Sequence, residues 1–408
     1  MKKSPLCILA MLLALAPALR LPAGPFADTA WPYVADGTLA GAVFLAASGD
    51  KILDCEAAGL ADIASGSPMR TDTLFWIASM SKPVTAAALM MLVDEGKVSL
   101  DDPVSKYIPA FDAPQKIVPK AAEKLANVTN LTSALPGASA PPQAADGAVT
   151  FRKTSITVRQ ILSHTAGLRF SASAEKPTLD LLPLAKCAEL YASVDLLFEP
   201  GSDYSYANAG INTAGRIIEI VTGMPYETFL QKRLFDPLGM KDTTFWPAGE
   251  QLTRLATSYK GDPEKRTLTP QPVSQLRYPL DDRVNRHPMP AGGLFSTARD
   301  VAYFGQLLLN KGVFNGQRLL SEAAVAEMTR RQTPPGKAAY GLGLTLQSSG
   351  RFGHGGAYAT QFMVWPEDNL VTVFMVQKIA KWGGPDGEKI RPALEKQARE
   401  LARPRAEK

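Results

Sequence analysis

Apolar spacing divides the chain into elements before any chemistry is considered. Two strand-like runs, Ala42 to Ala47 and Ile52 to Leu60, flank Ser48-Gly49-Asp50-Lys51, where Gly-Asp is turn chemistry and the pattern reads as a hairpin. A third extended piece ends at Phe75-Trp76-Ile77. The period then changes: Val84, Ala87, Ala88, Met91 and Leu92 recur every three to four residues, which predicts a helix, and Gly96 offers its stop. Pro83 falls in the first turn, where backbone N–H groups have no intrahelical partner to lose. Helical spacing returns at Ile156 to Leu162, at Ile211 to Val221 before Gly223, and at Tyr226 to Leu234. Strands resume at Gly341 to Leu346, Ala357 to Trp365 and Leu370 to Val376, with Pro366-Glu367-Asp368-Asn369 turning between the last two and a helix expected after Asp386.

From Pro109 to about Thr154 periodicity dissolves into Pro, Ala, Ser, Asn and Gln, the composition of an insertion or long loop that could border a substrate cleft. Strands at both ends with helices between them predict an α+β fold: one central antiparallel sheet built from N- and C-terminal segments, flanked by helices and carrying an inserted, mainly helical subdomain. The sheet subdomain is expected over about residues 30–108 and 290–395, and the helical one over about 109–289, including the insertion at 109–154.

The 408 residues, 46% of them hydrophobic, suffice for a substantial core. Lys2 and Lys3, the apolar run Leu6 to Leu15 and the small residues up to Ala23 have the form of a secretory signal peptide over residues 1–23, too short in its apolar part for a bilayer span. A soluble periplasmic or secreted product without a stable membrane anchor is therefore expected. The leader holds Lys2, Lys3 and Arg20 and no acid, so its removal takes three charges from a formal +5 and leaves +2, which gives no case for nucleic acid. Cys55 and Cys187 would remain, and two buried thiols are expected in preference to a disulfide. Met80, Met90 and Met91 read as core.

The candidate nucleophile is Ser79-Met80-Ser81-Lys82, at the junction of an extended stretch and the first long helix. Residues three apart share a helix face, so Lys82 would lie beside Ser79 and take its proton as the hydroxyl attacks a carbonyl. Ser-x-x-Lys strings arise about once or twice by chance in a chain of this length, and the sequence holds three. Ser48 to Lys51 is hairpin, and Ser173 to Lys176 reads as loop because Pro177 biases Lys176 away from helical geometry. Only Ser79 precedes a sustained helix.

Two further strings complete a constellation. Tyr206-Ala207-Asn208 precedes a helix: a phenolate beside a lysine ammonium is a competent base, and Asn208 offers an amide donor and acceptor to fix the lysine and grip a carbonyl. His354-Gly355-Gly356 is expected to open the Ala357 to Trp365 strand, its glycines permitting close backbone approach. Each alone is ordinary turn sequence. The order S-x-x-K, Y-x-N, H-G-G, however, resembles the class C β-lactamase and penicillin-recognising serine hydrolase family, which includes esterases, D-aminopeptidases and D,D-peptidases. Phe75-Trp76-Ile77-Ala78, Ile161 to Leu168, Phe198-Glu199-Pro200-Gly201, Phe235 to Met240 and Gly292 to Thr297 look like the same family, so the resemblance runs from about Gly41 to Gln377.

The resemblance implies the β-lactamase/transpeptidase-like fold, an acyl-Ser79 intermediate, proton transfer by Lys82 and Tyr206, substrate binding by Asn208, His354, Gly355, Gly356 and Ala357, and an oxyanion hole from the N–H groups of Ser79 and Ala357. It implies neither metal nor organic cofactor. The family's lactamases usually carry lysine where this chain has His354, and a largely neutral imidazole attracts a carboxylate less. The expected substrate is thus a small ester or amide, with carboxylesterase activity first and β-lactamase or D-peptidase activity on cell-wall-like substrates second. A sensor that is acylated but not turned over is the non-enzymatic alternative. A Ser-His-Asp triad through His164 or His287 is disfavoured, because no G-x-S-x-G elbow occurs and His164 sits by a helix end.

Overall fold

The computed structural model describes residues 24–118, 150–262, 264–379 and 389–403. The expected leader and most of the Pro/Ala-rich insertion, residues 119–149, lie outside the described residues. Along the chain, helix α1 (Pro25–Ala35) precedes strands β1 (Gly41–Ala47), β2 (Ile52–Asp62), β3 (Ser67–Pro68) and β4 (Phe75–Trp76), then helix α2 (Ser81–Asp94). Helices α3 (Val158–Ser163), α4 (Leu184–Ser193), α5 (Asn208–Thr222) and α6 (Tyr226–Leu230) fill the middle. There follow the hairpin β5 (Tyr259–Asp262) and β6 (Thr267–Pro270), β7 (Phe295–Ser296), α7 (Ala298–Leu309), the short hairpin β8 (Val313–Phe314) and β9 (Gln317–Arg318), and α8 (Glu322–Thr329). The chain closes with β10 (Thr345–Leu346), β11 (Phe352–Gly355), β12 (Gln361–Trp365), β13 (Leu370–Met375), β14 (Lys378–Ile379) and α9 (Ile390–Ala402).

Seven strands form the main sheet in the order β10-β11-β12-β13-β1-β2-β3, every pair antiparallel. The two ends of the chain meet at β1 and β13, with Val43 opposite Met375 and Leu45 opposite Val373. Every residue of β1 is buried, yet its faces differ: Val43, Leu45 and Ala47 join the core containing α2 and α7, whereas Ala42, Phe44 and Ala46 pack with Phe26 of α1 and Leu394 of α9. Period-two alternation on a strand covered on both sides explains a run apolar throughout. This is the α+β sheet with flanking helices that the pattern predicts.

Several boundaries differ from the sequence reading. Phe75–Trp76 pairs with β7 in a separate two-stranded sheet. The Gly341 to Leu346 run contributes only Thr345–Leu346, since the chain bends at Gly343, whose φ is +70°. The strand expected from Ala357 begins at Gln361, because residues 356–360 turn through Ala359 at φ +69°, and His354 consequently lies on the preceding strand β11. Helices α1, α4, α7 and α8 and the β5–β6 hairpin had no counterpart in the reading. At the ends of the insertion, Lys116 bridges to Phe151 and Ile117 to Leu196. Cys55 and Cys187 are free thiols, and Met80, Met90 and Met91 are buried.

Candidate active site

The three strings converge on one cavity of about 330 Å³, lined by Ser79, Tyr206, Asn208, Gly355, Gly356 and Ala357 together with Trp76, Ala78, Phe170, Gln275, Ala291 and Gly292. Ser79 occupies a 3₁₀ turn, Ala78–Met80, immediately before α2. Ala78 has φ +46°, a conformation costly for a residue with a Cβ and one that surrounding contacts must enforce. Ser81 supplies them: its hydroxyl donates to the Ala78 carbonyl at 2.7 Å and accepts from the Leu294 N–H at 3.2 Å, while Ile77 N–H donates to the Leu294 carbonyl at 3.0 Å.

Lys82 is fully buried, and its Nζ lies 3.1 Å from Ser79 Oγ, 2.8 Å from Asn208 Oδ1 and 2.7 Å from the Ala291 carbonyl oxygen. Burial pushes its pKa well below the ordinary lysine value, favouring the neutral amine. A neutral amine has two N–H donors and one lone pair. Asn208 Oδ1 and the Ala291 carbonyl can only accept, so they take both donors and leave the lone pair for the Ser79 hydroxyl. That is the arrangement of a base poised over a nucleophile. The Ala291 carbonyl carried no signal in the sequence beyond adjoining the Gly292-Gly293 stretch.

Tyr206 lies across Lys82, whose Nζ is 4.6 Å from the ring centroid. Burial raises the phenol's pKa, and its interaction with Ser79 offsets only part of that rise. Both shifts favour neutral phenol with neutral amine over the phenolate and ammonium of the sequence reading. Asn208 opens α5; its backbone N–H and that of Ala209 donate to the carbonyl of Phe170 at 2.9 and 3.2 Å, which anchors this cavity-lining residue, itself 46% exposed.

The β11–β12 turn supplies the remaining wall. A Cβ on Gly356 would stand 2.1 Å from Thr360 Oγ1 and 2.6 Å from the Ile77 carbonyl, so only glycine lets this turn close against the segment leading to Ser79. Neither the Ser79 nor the Ala357 backbone N–H meets an acceptor among the described residues, as free oxyanion donors require. Gly356→Val is expected to push the turn outward and lower kcat by about 10²-fold or more, the loss typical of one missing oxyanion donor. Steady-state kinetics and a far-ultraviolet dichroism spectrum of the variant check this; an unaltered kcat would remove the turn from the oxyanion site.

His354, expected to bind substrate, lies behind Gly355 and is not among the residues lining the cavity, as Gly355, Gly356 and Ala357 are. It is 5% exposed; Nδ1 lies 2.7 Å from the Gly355 carbonyl and Nε2 3.0 Å from the Tyr340 hydroxyl. A carbonyl only accepts, so Nδ1 carries the hydrogen and Nε2 accepts from Tyr340. Burial, and secondarily Lys82, push its pKa down to about 3, so it adds no cation at neutral pH. His164 caps α3 in the left-handed region, accepts from the Ala207 N–H at 3.3 Å and packs its ring 4.5 Å from that of Tyr206. Its Nε2 has no hydrogen-bond partner among the described residues, Ser79 included, so the His164 imidazole forms no triad with Ser79. Arg286 and Asp180, paired at 2.7 Å and both nearly unexposed, pin the segment carrying Gln275, with Asp180 also accepting from the Arg277 N–H.

Comparison with known proteins places this fold. The Beta-lactamase family model matches residues 26–392, and the chain belongs to that family of serine hydrolases. Among its relatives, Protein Rv1367c of Mycobacterium tuberculosis is 30% identical over 90% of this chain and 95% of its own length. Esterase EstB of Burkholderia gladioli is 31% identical over 55% of this chain and 52% of its own. A Salmonella newport protein provisionally named a D-alanyl-D-alanine carboxypeptidase is 29% identical over 75% and 69%. The solved structure of a family VIII carboxylesterase shares the fold, with TM-score 0.69 and 21% identity over 92% of this chain and 99% of that one.

Proposed function

We propose that the protein is an exported carboxylesterase-like hydrolase that cleaves small uncharged esters through an acyl-Ser79 intermediate. The observation that carries this reading is the lack of a second basic group: apart from the buried Lys82 amine beside Ser79, no Lys, Arg or His side chain lines the cavity among the described residues, and His354 stands neutral behind Gly355. A β-lactam or a peptide ending in D-alanine brings a carboxylate that would have to shed water here without a cation. The partial match to an esterase supports the same choice.

The geometry supports the following sequence. Lys82 Nζ takes the Ser79 proton as Oγ bonds to the substrate carbonyl carbon, and the resulting oxyanion is held by the N–H groups of Ser79 and Ala357. As the ester C–O bond breaks, the Tyr206 hydroxyl protonates the departing alkoxide, and the phenolate regains a proton from the adjacent Lys82 ammonium. In the second half, water gives its proton to the restored amine and attacks the acyl carbon. The acyl–Oγ bond breaks, Ser79 is reprotonated and the acid leaves.

The test compares kcat/KM of the mature protein for a short-chain nitrophenyl ester and a chromogenic cephalosporin. A missing charge-assisted hydrogen bond is worth about 10- to 100-fold, so the ester is expected to be favoured by at least that ratio. Equal or faster cephalosporin turnover would make antibiotic hydrolysis the function instead.

A further inference from the structure

The Ser173 to Lys176 string, unused by the chemistry above, holds a buried acid. Ser173–Glu175 forms one 3₁₀ turn, and Glu175 is 1% exposed. The Ala172 N–H donates to its Oε2 at 2.6 Å and the Tyr191 hydroxyl to its Oε1 at 2.5 Å. An acid buried with two neutral donors and, among the described residues, no cation paired with it is costly to a fold, and burial raises its pKa accordingly.

Hydrogen bonds link this acid to Lys82 through the two successive peptide groups that flank the Ala291 Cα. Asn212 Nδ2 donates to the Tyr191 oxygen at 3.0 Å, Asn212 Oδ1 accepts from the Ala291 N–H at 3.0 Å, and the Ala291 carbonyl accepts from Lys82 Nζ at 2.7 Å. Asn212 stands one turn beyond Asn208 on the same face of α5, so the helix directs two amides at the lysine, one straight and one through Ala291. Gly215, one turn further, lets Pro290 press against the helix, since a Cβ there would lie 2.4 Å from Pro290 Cγ.

Every donor in this linkage points toward Glu175, and this sets the orientation of an amide that could otherwise flip. While Tyr191 spends its hydrogen on Glu175, its oxygen can only accept, and Asn212 must turn its NH₂ toward it and its Oδ1 toward Ala291. Without an acceptor at residue 175, Tyr191 is free to donate to Asn212 Oδ1; the flipped amide would then face the Ala291 N–H with its own NH₂.

We propose that Glu175, acting through Tyr191 and Asn212, is a positioning residue that holds the Ala291 carbonyl on the Lys82 amine. The proposal rests on the reading of Lys82 as the base. Its predicted signature is kinetic. A loosened Ala291 carbonyl stabilises the ammonium that forms in the transition state less well, so kcat falls while KM holds. The same loss destabilises the ammonium of the free enzyme, so the acid limb of kcat/KM moves to lower pH.

The experiment measures Glu175→Leu, Glu175→Gln, Tyr191→Phe and Lys82→Met on the same neutral ester across the pH range, with thermal melts of each. Glu175→Leu is expected to lose about tenfold in kcat, the worth of one hydrogen bond, with the shifted limb, and Glu175→Gln, which still accepts from Tyr191, to recover most of it. Should Glu175→Leu fail to fold, Tyr191→Phe is expected to show the same loss and shift. A folded Glu175→Leu or Tyr191→Phe with wild-type kcat and acid limb overturns the proposal, and if Lys82→Met is inactive in the same assay the base reading survives it. Turnover retained by Lys82→Met would overturn both.

Discussion

Ser79→Ala is expected to lower ester turnover on the order of 10⁶-fold, the loss seen when a hydrolase that works through an activated serine is left without it. The substitution removes one oxygen at a half-buried position of the 3₁₀ turn; the Ala78 carbonyl, held by Ser81, and the helix behind it keep their contacts. Thermal midpoint and substrate binding should therefore stay near wild type while the chemical step disappears. The decisive measurement pairs steady-state kinetics with intact mass after mixing with a slow ester. Wild type should gain and then shed one acyl group, and Ser79→Ala should gain none. A wild-type acyl group that persists would instead indicate a sensor, and near-normal hydrolysis by Ser79→Ala would remove the assignment.

Tyr206→Phe is expected to reduce kcat by about 10² to 10⁴-fold, the range for one general acid or base, with KM little changed. Phenylalanine keeps the ring that packs against His164 and covers Lys82, so only the proton of the leaving-group step is lost. The pH dependence separates the two assignments of the proton. Burial depresses the Lys82 pKa and raises that of Tyr206, so the active form is neutral amine with neutral phenol. Activity should be lost as pH falls through the depressed Lys82 value, where the amine takes up a proton and can no longer serve as base. It should be level at pH above that value. That acid limb is expected to persist in Tyr206→Phe, since it belongs to Lys82. If it vanished with the phenol, the base would be a phenolate after all.

Neutral imidazoles bear on the same profile. His354, pushed down to about 3, and His164, lowered by burial, lie behind the catalytic pair without adding charge to it. The third motif thus adds no cation here, and His354 instead ties β11 to Tyr340.

What could be read from the chain alone was what local periodicity dictates. The hairpin at Ser48 to Lys51, the helix after Ser79, the Gly96 and Gly223 stops and the β13 strand follow from contacts within a few residues, where backbone geometry leaves little freedom. Ser79 and Lys82 were legible for the same reason: three residues of turn and helix place hydroxyl and amine together whatever the rest of the protein does. The order of the three strings added Tyr206, Asn208 and the glycine turn. Tertiary structure alone decided the rest, because the state of an ionisable group depends on its surroundings. Lys82 is suited to the proposed role of base because an amide 126 residues away and a carbonyl 209 residues away meet its amine in a buried site. His354 was misplaced because Ala359 turns left-handed and puts it on the strand before the one expected. Glu175 looked like loop because no local rule foretells a carboxyl buried against Tyr191, and its path to Lys82 runs through α4, α5 and Ala291, elements that only the folded chain brings together.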